Sequence, residues 1–146
     1  MVTTLHHPTT EHSGFWLVQA SGELDIGTLP DLERELFQAL SISPPPSTPL
    51  LVLDLLPVTF LDCAAVRLLH RTRAAVLGRG GWFSLVHAER PTGLLLRRLR
   101  LQHLFPAYES VGDAVRAASV PSCGSPPCGG GTGGSAPTMT YERNTG

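Results

Sequence analysis

A chain of 146 residues, 42% of them hydrophobic, is long and apolar enough for one core with tails. Eleven basic residues against twelve acidic ones leave a formal net charge of -1, which argues against strong, sequence-independent binding of nucleic acid. No apolar run approaches the roughly 20 residues that cross a bilayer, the opening "MVTTLHHPTTEHSG" has neither a basic start nor an apolar signal core, and three cysteines make no even disulfide framework; the expectation is a cytoplasmic protein.

In chain order, residues 1–13 read as a flexible leader. "FWLVQASGELD" reads as a strand ending at a glycine turn, and "LPDLERELFQAL" places Leu29, Leu32, Leu36 and Leu40 at helical spacing. The prolines of "SISPPPSTP" block helix and sheet alike and mark a loop. "LLVLDL" is a continuous apolar run of strand length, the pattern of a strand covered on both faces. "VTFLDCAAVRLL" then runs a strand-like segment directly into a helix whose apolar face holds Ala65, Leu68, Leu69, Thr72 and Val76, with "GRGG" as its stop.

"WFSLVHA" reads as the next strand, and "PTGLLLRRLRL" as a helix with Pro91 near its start. "FPAYES" supplies a short extended piece, and Ser110 with Asp113 makes an S-x-x-D cap for a last helix with Val111, Ala114, Val115 and Ala118 on its apolar face. Composition changes at Ser119: residues 119–146 are rich in Gly, Ser, Pro and Thr with little to bury, and a disordered tail is expected. The alternation of strand and helix over residues 14–118 predicts an α/β domain, a small mixed β-sheet packed by about four helices, with antiparallel pairing at the start.

Catalytic signatures are missing from the sequence. There is no G-x-S-x-G elbow, Walker A loop, G-x-G-x-x-G after a strand, or H-E-x-x-H, so no enzymatic activity and no cofactor are expected. His6, His7 and His12 cluster without accompanying ligands, and Cys123 and Cys128 form a single C-x4-C; neither predicts a metal site. His70, His87 and His103 fall on separate elements and read as surface or satisfied histidines. Charge is divided instead: Glu23, Asp25, Asp31, Glu33 and Glu35 make the early part acidic, whereas Arg67, Arg71, Arg73, Arg79, Arg90, Arg97, Arg98 and Arg100 make the middle basic. Such a division suits a protein partner. Asp25 and Asp62 both close strands and are expected on one edge of the sheet, where sites of α/β folds gather. Asp62 is also placed to cap the helix that follows it.

Together, "SGELD", "LLVLDLLPVTFLD" before a helix, and "GGWFSLVHAERPTGLLLRRLRLQHLFPAYESVGDAV" resemble the STAS domain of bacterial anti-sigma-factor antagonists over residues 14–118. That resemblance implies a regulatory module that docks a kinase-like anti-sigma factor and so influences sigma-dependent transcription. In the family the strand-to-helix join usually reads D-S-S-G or D-S-T-G, and the second hydroxyl residue is phosphorylated by the partner, which breaks the complex. Position by position, the family's Asp falls on Asp62, the first hydroxyl residue on Cys63, the acceptor on Ala64 and the glycine on Ala65. A later family glycine falls on Arg100.

The resemblance therefore implies a partner surface of Asp25, Asp62, Cys63, Ala64 and Arg67 in which the acceptor position is degenerate, since alanine forms no phosphate ester. Cys63 is expected as a small, partly buried filler, and the Ala65 methyl is expected to narrow a partner's approach. Two other readings are open: a scaffold for other STAS domains or a sensor, and a small-ligand or nucleotide-binding module resting on the arginines.

Overall fold

The computed structural model describes residues 2–7, 14–42 and 48–119. Among these, the elements in chain order are β1 (Val2–His7), β2 (Phe15–Ala20), β3 (Gly22–Leu24), α1 (Leu29–Ile42), β4 (Leu50–Asp54), β5 (Val58–Leu61), α2 (Cys63–Gly78), β6 (Trp82–Val86), α3 (Leu94–Arg98), β7 (Ala107–Tyr108) and α4 (Val111–Ser119). Strands β1-β2-β4-β6-β7 form one sheet in that order, and β3 pairs with β5 in a second, two-stranded sheet. Among the described residues only the β1–β2 pair is antiparallel.

The apolar run of β4 is explained by its central place. Leu51, Leu53 and Leu55 pack into the core shared with Leu32, Leu36 and Leu40 of α1 and Ala65, Leu68, Leu69 and Val76 of α2. Val52, on the opposite face, joins Val86 and Ala114 in a smaller cluster beneath α4. A strand clothed by helices on both faces has no solvent side on which alternation would show. Each fully buried Leu or Val contributes roughly 1.5–3 kcal/mol relative to exposure, so this core carries most of the stability.

Two sequence expectations are corrected here. "FWLVQASGELD" is two strands in different sheets, because the chain turns at Ser21 and Gly22, where Gly22 takes φ +77° and its N–H donates to the Pro57 carbonyl at 3.2 Å. The leader supplies the edge strand β1, paired from Val2↔Ala20 to His7↔Phe15. Its "VTTL" start is rich in β-branched residues, and the open edge of β2 offers backbone groups that need partners. Residues 8–13 of the leader, with His12, lie outside the described residues, as do residues 120–146 with Cys123 and Cys128.

The "GRGG" stop is a backbone motif. Gly80 takes φ +70°, its N–H donates to the Leu77 carbonyl at 2.9 Å, and the Gly81 N–H donates to the Val76 carbonyl at 2.9 Å. These are the paired bonds that close a helix through a left-handed residue. Gly81 has a second reason to be glycine, since a Cβ there would lie 2.3 Å from the Pro49 carbonyl oxygen, against which β6 begins.

Candidate functional site

The small β3–β5 sheet builds the site. Leu24 and Leu61 are register partners in this parallel pair, so the chain leaves both strands in the same direction and delivers Asp25 and Asp62 side by side. The Asp62 N–H donates to the Leu24 carbonyl at 3.1 Å, which ties the two exits together. The expected common edge is thus present, although the strands that form it belong to the second sheet.

Each carboxylate organises its own loop. Asp25 Oδ1 accepts from the Gly27 N–H at 2.9 Å and the Thr28 N–H at 3.1 Å. Thr28 closes the turn in return, its hydroxyl donating to the Glu23 carbonyl at 2.8 Å and accepting from the Asp25 N–H at 3.0 Å. Asp62 is extended, with φ -95° and ψ 167°, and its carboxylate accepts from the Ala64 N–H at the start of α2. It caps the helix, as its position before the apolar face predicted.

The degenerate motif falls on the first turn of α2. Cys63 is a free, exposed thiol, not the partly buried filler expected, because the first helical position points away from both cores. Ala64 is half-buried and directly follows it. Ala65 is 1% exposed and packs inward among the buried residues of α2 and the sheet, so its methyl fills the core and does not crowd a partner. Arg67 is exposed one turn further along the helix.

Sequence reasoning passed over the apolar neighbours of this edge. Ile26 is 81% and Phe60 50% exposed, both large side chains beside the two aspartates in the chain. In β5 only Val58 and Leu61 are buried, so Phe60 faces away from the core, a placement that the spelling "VTFL" does not announce. Phe60 and Leu61 form one wall of a groove of about 290 Å³, and Arg90, Pro91, Leu94, Leu95 and Arg98 complete it. These five come from the wide turn at Glu89–Gly93, where Arg90 is not helical, and from α3. The expected helix therefore starts later than Pro91, and the turn before it swings Arg90 over the groove.

The histidines are dispersed as expected. The His70 ring meets Phe105 edge to face at 5.3 Å between centroids, His103 is exposed, and His87 is buried with Nδ1 3.0 Å from the Ala88 carbonyl oxygen. Among the described residues no group of three or more His, Cys, Asp or Glu side chains is arranged to hold a metal ion. No helix among them is long and apolar enough to cross a membrane.

A parallel strand pair that presents a capped helix start beside an Asp-closed turn, on an α/β sheet with an antiparallel edge, defines the class. The STAS domain model matches residues 7–114, and the chain belongs to that family. Among solved structures it is similar to an anti-sigma factor antagonist from Mycobacterium paratuberculosis, at 31% identity and a TM-score of 0.65, covering 81% of this chain and 94% of that one. It shares its fold with an anti-sigma-factor antagonist (STAS) domain protein from Planctomyces limnophilus, at 15% identity and a TM-score of 0.59, covering 81% and 97%. No curated protein matches the chain.

Proposed function

We propose that this chain is a cytoplasmic anti-sigma-factor antagonist that docks a kinase-like anti-sigma factor through Asp25, Asp62, Cys63, Ala64 and Arg67, and that it stays competent to bind because Ala64 has no hydroxyl to esterify. The observation that carries the reading is the convergence of Asp25 and Asp62 at the exits of paired strands, directly before the helix turn that holds Ala64. The similarity to an antagonist at 31% identity supports the partner class.

A phosphate brings about -1.5 to -2 charges at neutral pH, and beside two carboxylates it would repel an acidic contact or fail to fit a packed one. Removal of the acceptor leaves the same surface permanently uncharged at that position. Arg67 supplies a cationic contact one turn away, and Cys63 a small exposed neighbour.

Capture from an extract of the native cell tests the reading, with the immobilised wild-type chain beside Asp62→Asn. Asparagine caps a helix as well as aspartate, so this variant removes charge and keeps the helix start. The expected result is an anti-sigma factor retained by wild type and reduced about tenfold in the variant, the effect of losing roughly 1.4 kcal/mol. Equal retention by both chains would reject the assigned surface. Recovery of other STAS chains with no anti-sigma factor would transfer the reading to a scaffold.

A further inference from the structure

We propose that the groove between β5 and α3 receives an apolar side chain of the protein partner flanked by carboxylates, which makes it a second contact beside the Asp25–Asp62 edge. The proposal rests on reading that edge as a partner surface, and it names the chemistry of the partner segment.

Three observations lead there. The walls are apolar, built by Phe60, Leu61, Pro91, Leu94 and Leu95, and Phe60 is left half exposed although nothing in the strand requires an aromatic in water. At about 290 Å³ the groove is at or below the lower limit of small-molecule sites, ~300–1,000 Å³, and suits one aromatic or branched side chain.

The two charged residues on its walls are both arginines. Among the described residues Arg97 pairs with Glu89 and Arg71 with Glu33, whereas no ion pair is made by Arg90 or Arg98. Guanidinium groups are weakly hydrated and hold carboxylates with two parallel bonds, so a pair of them beside an exposed aromatic favours an acidic, apolar-centred segment over a basic one. Glu23 is the register partner of Phe60 and shares its face of the β3–β5 pair, but it does not line the groove, whose charged lining residues are Arg90 and Arg98.

The full-length chain, labelled for amide NMR, is titrated with the blocked peptide Asp-Glu-Leu-Phe-Glu-Asp and with a control in which lysines replace the four acidic residues. Saturable shifts confined to Phe60, Leu61, Leu94 and Leu95 are expected with the acidic peptide alone. Arg90→Glu and Arg98→Glu should each weaken binding about tenfold, the size of effect seen at arginine anchors of interfaces.

Equal binding of the lysine peptide, indifference to both arginine variants, or unmoved groove amides would overturn the proposal. So would groove shifts that depend on protein concentration alone, which would seat a second copy there, or cross-peaks from the groove to residues 120–146 in the free chain. Peptide binding with no anti-sigma factor captured sinks the function proposed above and leaves the groove; capture with no peptide binding does the reverse.

Discussion

Arg100 holds φ +57°, in the left-handed region that glycine enters freely and other L-residues enter at a cost of about 1–2 kcal/mol. It closes α3 as Gly80 closes α2: the Arg100 N–H donates to the Arg97 carbonyl at 3.0 Å, and the Leu101 N–H to the Leu96 carbonyl at 2.8 Å. The two helix ends use one motif, yet only one carries the residue that suits it. The family resemblance places glycine at this position, and the observed dihedral supplies the physical reason. Arg100→Gly should therefore raise stability by about 0.5–1 kcal/mol, the relief of the Cβ contact less the extra freedom glycine brings to the unfolded chain. A urea midpoint unchanged or lowered in the variant would show that the arginine makes a compensating contact.

At the scale of elements, α4 is set by its first turn. The Ser110 hydroxyl donates to Asp113 Oδ2 at 2.7 Å and accepts from the Asp113 N–H at 3.1 Å, while Arg116 pairs with the same carboxylate from the next turn. The Ser110 bond first, and Arg116 second, hold the Asp113 carboxyl below its ordinary value. A depressed carboxylate stabilises the fold above the unfolded-state value, near 3.9, and that contribution disappears as pH falls through the lower folded-state value. The window is thus acidic, below about pH 4. Ser110→Ala should move the Asp113 titration upward in carboxyl-detected NMR and make α4 fray at a higher pH than in wild type; an unmoved titration would give the main role to Arg116.

This cap was legible in the sequence because it is local: S-x-x-D names both partners. So were the buried faces of α1 and α2, where leucine and alanine spacing met a matching sheet. The division of "FWLVQASGELD" was hidden because the strand break depends on a bond from Gly22 to Pro57, thirty-five residues away. β1 was hidden because its stability comes from the edge of β2, which composition does not reveal. The groove was hidden for the same reason: Phe60 and Arg98 line one groove only once the Glu89–Gly93 turn has packed against β5.

Across the whole molecule, the surfaces that stabilise and the surfaces assigned to recognition are separate. The core lies between the five-stranded sheet and α1 and α2, whereas Asp25, Asp62 and Ala64 occupy the exits of the small β3–β5 sheet. Asp25 and Asp62 also hold their loops through backbone hydrogen bonds, whereas the Ala64 side chain makes none, so chemistry at that position can change with little effect on folding. Ala64→Ser makes the separation measurable: serine at this half-buried position in the first turn of α2 costs about 0.5 kcal/mol of helix propensity relative to alanine, and its hydroxyl would sit near N–H groups that accommodate a phosphate. Incubated with ATP and a captured kinase-like anti-sigma factor, the serine chain should gain the mass of one phosphoryl group and then lose its hold on the partner. The wild-type chain under the same conditions should gain none. Phosphate on wild type at Thr59, or a serine chain that remains unmodified beside an active kinase, would mean that the lost oxygen was not what set this molecule apart from a switchable one.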